Sequence, residues 1–185
     1  MLPCKKGRNV NKKELKYFER TIEHIHRVQK NMFTLILKYH KELNLRSGDC
    51  RVLAHNVLNH DRSKFSRKQF GPYIELNDYY RIKKSVNPTY TYPSEEIKKA
   101  VDIAVLDHYE QENHHAESNA YNADYMSCFD LIEVCCDLQA MAQEFNEGSC
   151  RAFWQNKWLP KYNIGDDSKA LMNRVIECFE KEIAR

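Results

Sequence analysis

Apolar residues recur at steps of three and four between Asn11 and His40, at Leu15, Phe18, Ile22, Ile25, Met32, Phe33 and Ile36, which predicts one long amphipathic helix. A second helix should begin near Ser47, carry Leu53, Val57 and Leu58, and end around His60 and Asp61. Ser66 and Gln69 have the spacing of a capping box, so a third helix is expected to run toward Tyr80. Ser94 precedes Glu95 and Glu96, an N-cap followed by acids that favour a helix start, and the stripe Ile97, Val101, Ala104 and Val105 leads into His108. Residues 123 to 146 predict another helix, with Leu131, Val134, Cys135, Leu138 and Met141 on one face and Gly148 as terminator. A final helix should follow Asp166, Asp167 and Ser168 and bury Leu171, Val175, Ile176 and Phe179, after a short packed connection through Phe153, Trp154, Trp158, Leu159 and Pro160.

No stretch alternates in the manner of a strand, and no internal repeat or low-complexity tract is evident. The expectation is an all-α, single-domain helical bundle of about six or seven helices. The segment from Ser85 to Pro93 has two prolines and no helical period, and reads as an exposed loop and a candidate lid.

Composition narrows the class. The chain has 185 residues, 42% hydrophobic and 30% charged, which suits one folded domain rather than a disordered chain. The start of the chain has Lys5, Lys6 and Arg8 but no apolar stretch of the secretory kind, and no run of about 18 apolar residues occurs, so a soluble protein with no membrane partner is expected. Seven cysteines form no CxxC pair, which speaks against a disulfide framework and suits a reducing cytoplasm. Net charge is +3, too small to imply nucleic-acid binding by itself. Lys5, Lys6, Arg8, Lys12, Lys13 and Lys16 nonetheless mark residues 1 to 16 as a basic arm, through which nucleic acid could bind, ahead of a helical domain over 17 to 185.

Candidate chemistry is spread along the helices. His24 and His26 lie on the first, His60 and Asp61 end the second, and His108 ends the helix that follows the loop. Asp130, Glu133 and Asp137 stand at steps of three and four on the next, so they align along one face beside the apolar stripe. An inward row of acids needs cations, and a divalent metal needs neutral imidazoles and ionised carboxylates converging from several elements. His108, His114 and His115 lie within eight residues, and because the last two are consecutive they cannot point the same way on a regular helix or strand. Adjacent His60 and Asp61 can share one metal where the backbone turns, with Lys64 close enough in sequence to meet an anionic substrate. Periodicity does not choose between His24, in line with Val28 and Leu35, and His26, in line with Ile22 and Phe33.

The order of these residues, a histidine, then His60-Asp61, then a later aspartate, resembles the HD-domain superfamily of helical metal-dependent phosphohydrolases. The segment His60-Asp61-Arg62-Ser63-Lys64 is similar to the HDxGK of the HD-GYP branch, in which further histidines, including a paired HH, complete a multinuclear centre. More closely, Thr21 to Val28, the HDRSKF segment, Asn113-His114-His115 and Asp130 to Asp137 resemble an uncharacterised bacterial and phage family of HD-like proteins. The resemblance covers about Thr21 to Met141, with Gln69 where that family commonly has a glutamate.

It implies metal ligation by His24, His60, Asp61, His108, His115 and Asp137, with His26 and Asp130 as alternative ligands. Lys64, Glu133 and His114 then fall to catalysis, and Arg62, Arg81, Tyr90 and Tyr92 to substrate binding. The cofactor would be a divalent metal (Mn, Mg, Fe, Co, Ni or Zn), as one or two ions, and the substrate a small phosphorylated molecule, a nucleotide first among them. Two other functions are compatible with the residues: a di-iron oxygenase on the same ligands, and a non-catalytic helical module that binds nucleic acid or protein.

Overall fold

The computed structural model describes residues 11–185. Among these, seven α-helices follow one another: Lys12–Thr34 (α1), Ser47–Asn59 (α2), Phe70–Ser85 (α3), Glu95–Gln111 (α4), Cys128–Glu144 (α5), Arg151–Phe153 (α6) and Asp166–Ile183 (α7). α1 continues into a π-helical turn at Leu35–Tyr39 and α6 into another at Trp154–Trp158. An isolated bridge between Asn122 and Asn163 is the extent of β structure among the described residues. The fold is the all-α, single-domain bundle that the periodicity predicts.

Several helix ends lie where their caps put them. The Asn11 side chain accepts from the amides of Lys13 and Glu14, and Glu14 returns the bond to the Asn11 amide, so α1 starts at Lys12. Lys12, Lys13 and Lys16 therefore belong to the first helix and not to an arm; Lys5, Lys6 and Arg8 lie outside the described residues. Ser94 caps α4 through the Ile97 amide, as its sequence suggests.

α5 begins at Cys128, later than expected, because Ser127 and Asp130 form its capping box, while Ala123–Tyr125 makes a separate 3-10 turn. Ser66 forms only half of the expected capping box, its hydroxyl accepting from the Gln69 amide at 3.4 Å ahead of α3. Its carbonyl accepts from Gln69 and Phe70, and the Gln69 side chain donates to Asp107 on α4 instead of reaching back.

α1 is the central helix, packed against α5, α3 and α2, while α7 covers α5 and α4 lies on α3. The main core joins Val28, Met32 and Leu35 of α1 to Leu53 and Val57 of α2, Ile132 and Cys135 of α5, and Met172 and Ile176 of α7. A smaller cluster gathers Tyr17 of α1, Tyr73 and Ile74 of α3, and Ala104 of α4. Asn31 donates to the Cys136 carbonyl at 3.1 Å, a buried polar bond that fixes α1 against α5. His24 lies on α1 between the residues of these two clusters, and the polar site occupies the seam. No helix among the described residues is long and apolar enough to cross a membrane.

Candidate metal centre

The pair His60-Asp61 gains its geometry from a backbone reversal. α2 ends as His60 turns extended (ψ 129°), and Asp61 adopts the left-handed conformation (φ 58°, ψ 13°) before the 3-10 turn Arg62–Phe65. A short polar side chain such as Asp tolerates that region better than most L-residues. The turn is held from α1, where the Tyr17 hydroxyl donates to the Lys64 carbonyl at 2.9 Å. Both neighbouring side chains consequently enter the protein, His60 2% and Asp61 1% exposed.

Four other elements send donors to the same place: α1 contributes His24, the last turn of α4 His108, the segment after α4 His114 and His115, and α5 Glu133 and Asp137. His24 Nε2 lies 3.0 Å from Asp137 and 3.7 Å from Asp61 Oδ2, with His60 Nε2 3.8 Å from the same Asp61 oxygen. On the other side, Asp61 Oδ1 is 3.2 Å from His108 Nε2 and 4.0 Å from His114 Nε2, and His108 and His115 bring their Nε2 atoms to 3.0 Å.

The donor atoms fall into overlapping groups, each within 4.8 Å: His24, His60 and Asp137; Asp61, His108, His114 and His115; and His60, His114 and Glu133. Asp61 reaches the first with one oxygen and supplies the second with the other. His114 and His115 enter together, their ring centroids 4.3 Å apart, because their segment is neither regular helix nor strand.

The chemistry of the set fits a cation. His60 Nδ1 bonds Glu133 Oε1 at 2.8 Å and His108 Nδ1 bonds the Ser63 hydroxyl at 2.7 Å, so each ring is anchored by its outer nitrogen and presents Nε2 inward. There His60 Nε2 and Asp61 Oδ1 are buried with no hydrogen-bond partner. Orphaned buried polar atoms are costly, and two of them in one ring of imidazoles and carboxylates are what a metal would satisfy.

The protonation pattern agrees. Burial works against charge on Asp61, but Lys64, His60, His108 and His24 hold its carboxyl well below the usual range. Burial likewise opposes charge on Asp137, and the bond from His24 holds it low. Burial and the neighbouring His60 depress His114 well below an ordinary imidazole, and burial with His108 takes His115 down to about 4, so both stay neutral as ligands must. For His60 burial is outweighed by Asp61, Glu133 and Asp137, and its pKa rises to about 9; the carboxylates attract positive charge to this point.

A cavity of about 310 Å³ opens onto the cluster and reaches His24, Asp61, His108, His115 and Asp137. Its walls add Lys64, whose ammonium lies 2.5 Å from Asp61 Oδ2, together with Arg20, Tyr17, Tyr73, Tyr80 and Tyr109. Burial pushes the Tyr109 hydroxyl up to about 12, so it remains a neutral donor.

The structure brings together His24, His60, Asp61, His108, His114, His115 and Asp137, with Glu133 behind them and Lys64 beside them. Glu133, read from sequence as catalytic, is buried against His60 and His114 and does not line the cavity; its Oε1 bonds His60 Nδ1 at 2.8 Å. His114, also read as catalytic, sits inside the cluster, enclosed by His60, His108 and His115.

Other candidates lie elsewhere. His26 is exposed on α1, on a different face from His24. Asp130 is occupied at the start of α5, accepting from the Ser127 amide and hydroxyl. Arg62 is exposed and bonds Asn59, and Arg81 is tied to Asp78 at 2.5 Å on a neighbouring groove. Tyr92 stacks on Tyr79 of α3 at 4.3 Å with Tyr90 beside it, which pins the proline-flanked loop outside the cavity wall. Sequence reasoning missed Ser63 and the tyrosines Tyr17, Tyr73, Tyr80 and Tyr109. The central serine of the HDRSKF segment was the available signal for Ser63; the tyrosines carried none.

Residues 13–181 match the model of a family of unknown function, DUF5662, and the chain belongs to that family. No curated protein matches the chain. No solved structure matches it.

Proposed function

We propose that the protein is a metal-dependent phosphoester hydrolase of HD-like type, acting on a nucleotide or a related small phosphorylated molecule. The observation that carries the reading is the pair of donor groups joined through the two oxygens of Asp61, with orphaned His60 Nε2 and Asp61 Oδ1 inside them. His24, His60 and Asp137 would hold one divalent cation, and His108, His114 and His115 a second, with Asp61 common to both. Bound there, such ions lower the pKa of a coordinated water toward neutrality and polarise a phosphoryl oxygen.

The protein's own residues supply the rest. Lys64, in the cavity wall, offers an ammonium to the phosphate oxygens, and Arg20 stands farther out on the same wall. Tyr109 offers a neutral hydroxyl, and the rings of Tyr73 and Tyr80 provide flat apolar surface for the remainder of the substrate. Glu133 and Ser63 keep His60 and His108 turned toward the cluster.

The test is a panel of nucleoside monophosphates, dinucleotides and generic phosphodiesters offered to Mn²⁺-loaded wild type and to His60→Ala. Release of phosphate or nucleoside by the wild type alone supports the reading. A mixed imidazole and carboxylate set also suits iron. Oxygen consumption by iron-loaded protein, with no hydrolysis of any phosphoester, would replace hydrolysis with oxygen chemistry.

A further inference from the structure

The histidines of the cluster are not anchored alike. His60 and His108 have their outer nitrogens bonded at 2.8 and 2.7 Å, whereas His115 turns Nδ1 toward Glu117 Oε2 at 3.9 Å, just beyond bonding reach. Glu117 stands in the 3-10 turn Ala116–Asn119, directly after the histidine pair, with its side chain 6% exposed. Its Oε1 is held at 2.5 Å by the Lys161 ammonium and at 2.6 Å by the Tyr162 hydroxyl. Its Oε2 is buried with no hydrogen-bond partner. Both side chains face a cavity of about 170 Å³, on whose wall His114, Asp137, Lys161 and Tyr162 also lie.

A buried carboxylate oxygen without a donor is destabilising, and the nearby imidazole nitrogen is the donor placed to satisfy it. Lys161 and Tyr162 fix one oxygen of Glu117, so the other cannot turn away without breaking two charge-assisted bonds. A movement of about 1 Å closes the gap to hydrogen-bond distance. The bond would place the His115 proton on Nδ1 and leave the Nε2 lone pair facing His108 and Asp61, the form a metal ligand needs.

We propose that Glu117 is the positioning residue for His115, fixing its tautomer and ring direction for a bound cation, with Lys161 and Tyr162 anchoring Glu117 in turn. The proposal rests on the metal-centre reading above and concerns a residue that neither lines the substrate cavity nor joins the ligand groups.

Metal-free protein titrated with Co²⁺ alone, followed by calorimetry and by the visible spectrum of the bound ion, tests it. Glu117→Gln keeps an acceptor but removes the charge, and should weaken Co²⁺ binding about 10- to 100-fold and shift the cobalt bands, with the thermal midpoint of the metal-free protein lowered by no more than the few degrees that a weakened Lys161 ion pair explains. Wild-type affinity and spectrum in that variant would overturn the proposal, as would a loss of affinity no larger than an accompanying fall in metal-free stability explains. Should Glu117→Gln fail to fold, Tyr162→Phe, which frees Oε1 from one anchor, should still lower affinity several-fold, and an unchanged affinity there overturns the proposal. Absence of Co²⁺ binding by the wild type would instead sink the metal-centre reading itself.

Discussion

Asp61→Asn is the substitution that separates the charge of the site from its backbone. Asn adopts the left-handed conformation at least as readily as Asp, so the reversal at φ 58° survives, and Lys64, 20% exposed, can turn to solvent once its partner is neutral. The cation site loses most. The Asp61 oxygens lie 3.2–4.0 Å from the Nε2 atoms of His24, His60, His108 and His114, so a cation held by either group is close to this carboxylate. At an effective dielectric of about 20, unit charges 4 Å apart interact by ~4 kcal/mol, hence ~8 kcal/mol gross for a divalent ion. Desolvation and the retained amide oxygen return a share, and a net loss of at least ~2.7 kcal/mol, about 100-fold in affinity, is expected.

The assay is a thermal melt with and without Mn²⁺. At a hundred times Kd the ion stabilises the native state by ~2.7 kcal/mol, and for a domain of this size each kcal/mol moves the midpoint by about 2–4 °C, so wild type should gain roughly 5–11 °C. At the same concentration Asp61→Asn should gain no more than ~0.4 kcal/mol, under about 2 °C, measured against its own metal-free midpoint. A full Mn²⁺ shift in Asp61→Asn refutes the reasoning.

Other expectations follow from the same geometry. With the His60 pKa raised to about 9 in the metal-free protein, a proton must leave before a cation enters, so metal binding should release protons at neutral pH and tighten as pH rises toward 9; binding calorimetry in buffers of different ionisation enthalpy measures this, and pH-independent binding counts against the assignment. The sign for stability is the reverse: the His60 contribution is present below about 6.5 and is lost as pH rises through about 9, so the metal-free protein should melt lower at pH 9 than at pH 6.5, which melts in EDTA record. Met32→Ala, at a fully buried core position two turns along α1 from His24, should cost about 2–5 kcal/mol by denaturant titration, and a smaller loss would show the core to be looser than its burial indicates.

Helix positions were legible because caps and periodicity are local. Ser94 and the end of α2 announce themselves, while α5 starts five residues later than its periodicity predicts, because residues 123–125 and Asn122 form their own turn before Ser127 caps the helix. Along α1, apolar residues mark the wrong face in part. Leu15 and Ile22 are exposed, while Thr21, His24 and Asn31 are buried with Tyr17, Val28 and Met32, so apolar periodicity could not separate His24 from His26.

Order along the chain marked His24, His60, Asp61 and Asp137, which the fold brings together, and what separates Asp130 from them is the capping box of its own helix. Contacts between distant segments stayed hidden. The Tyr17 bond to Lys64 spans 47 residues and the Glu133 bond to His60 spans 73, and no local pattern encodes either. The same holds for Arg81, Tyr90 and Tyr92, whose sequence chemistry suited substrate but whose partners are Asp78 and Tyr79.

The central claim, that these histidines and aspartates form a metal centre, is tested most directly by metal stoichiometry. Purified wild type and His60→Ala, saturated with Mn²⁺ and desalted, would be compared by elemental analysis. The account predicts about two ions per wild-type chain, as in two-metal hydrolytic sites, and a clear loss in the variant. Wild type that retains no metal, or a variant that retains as much as wild type, would contradict it.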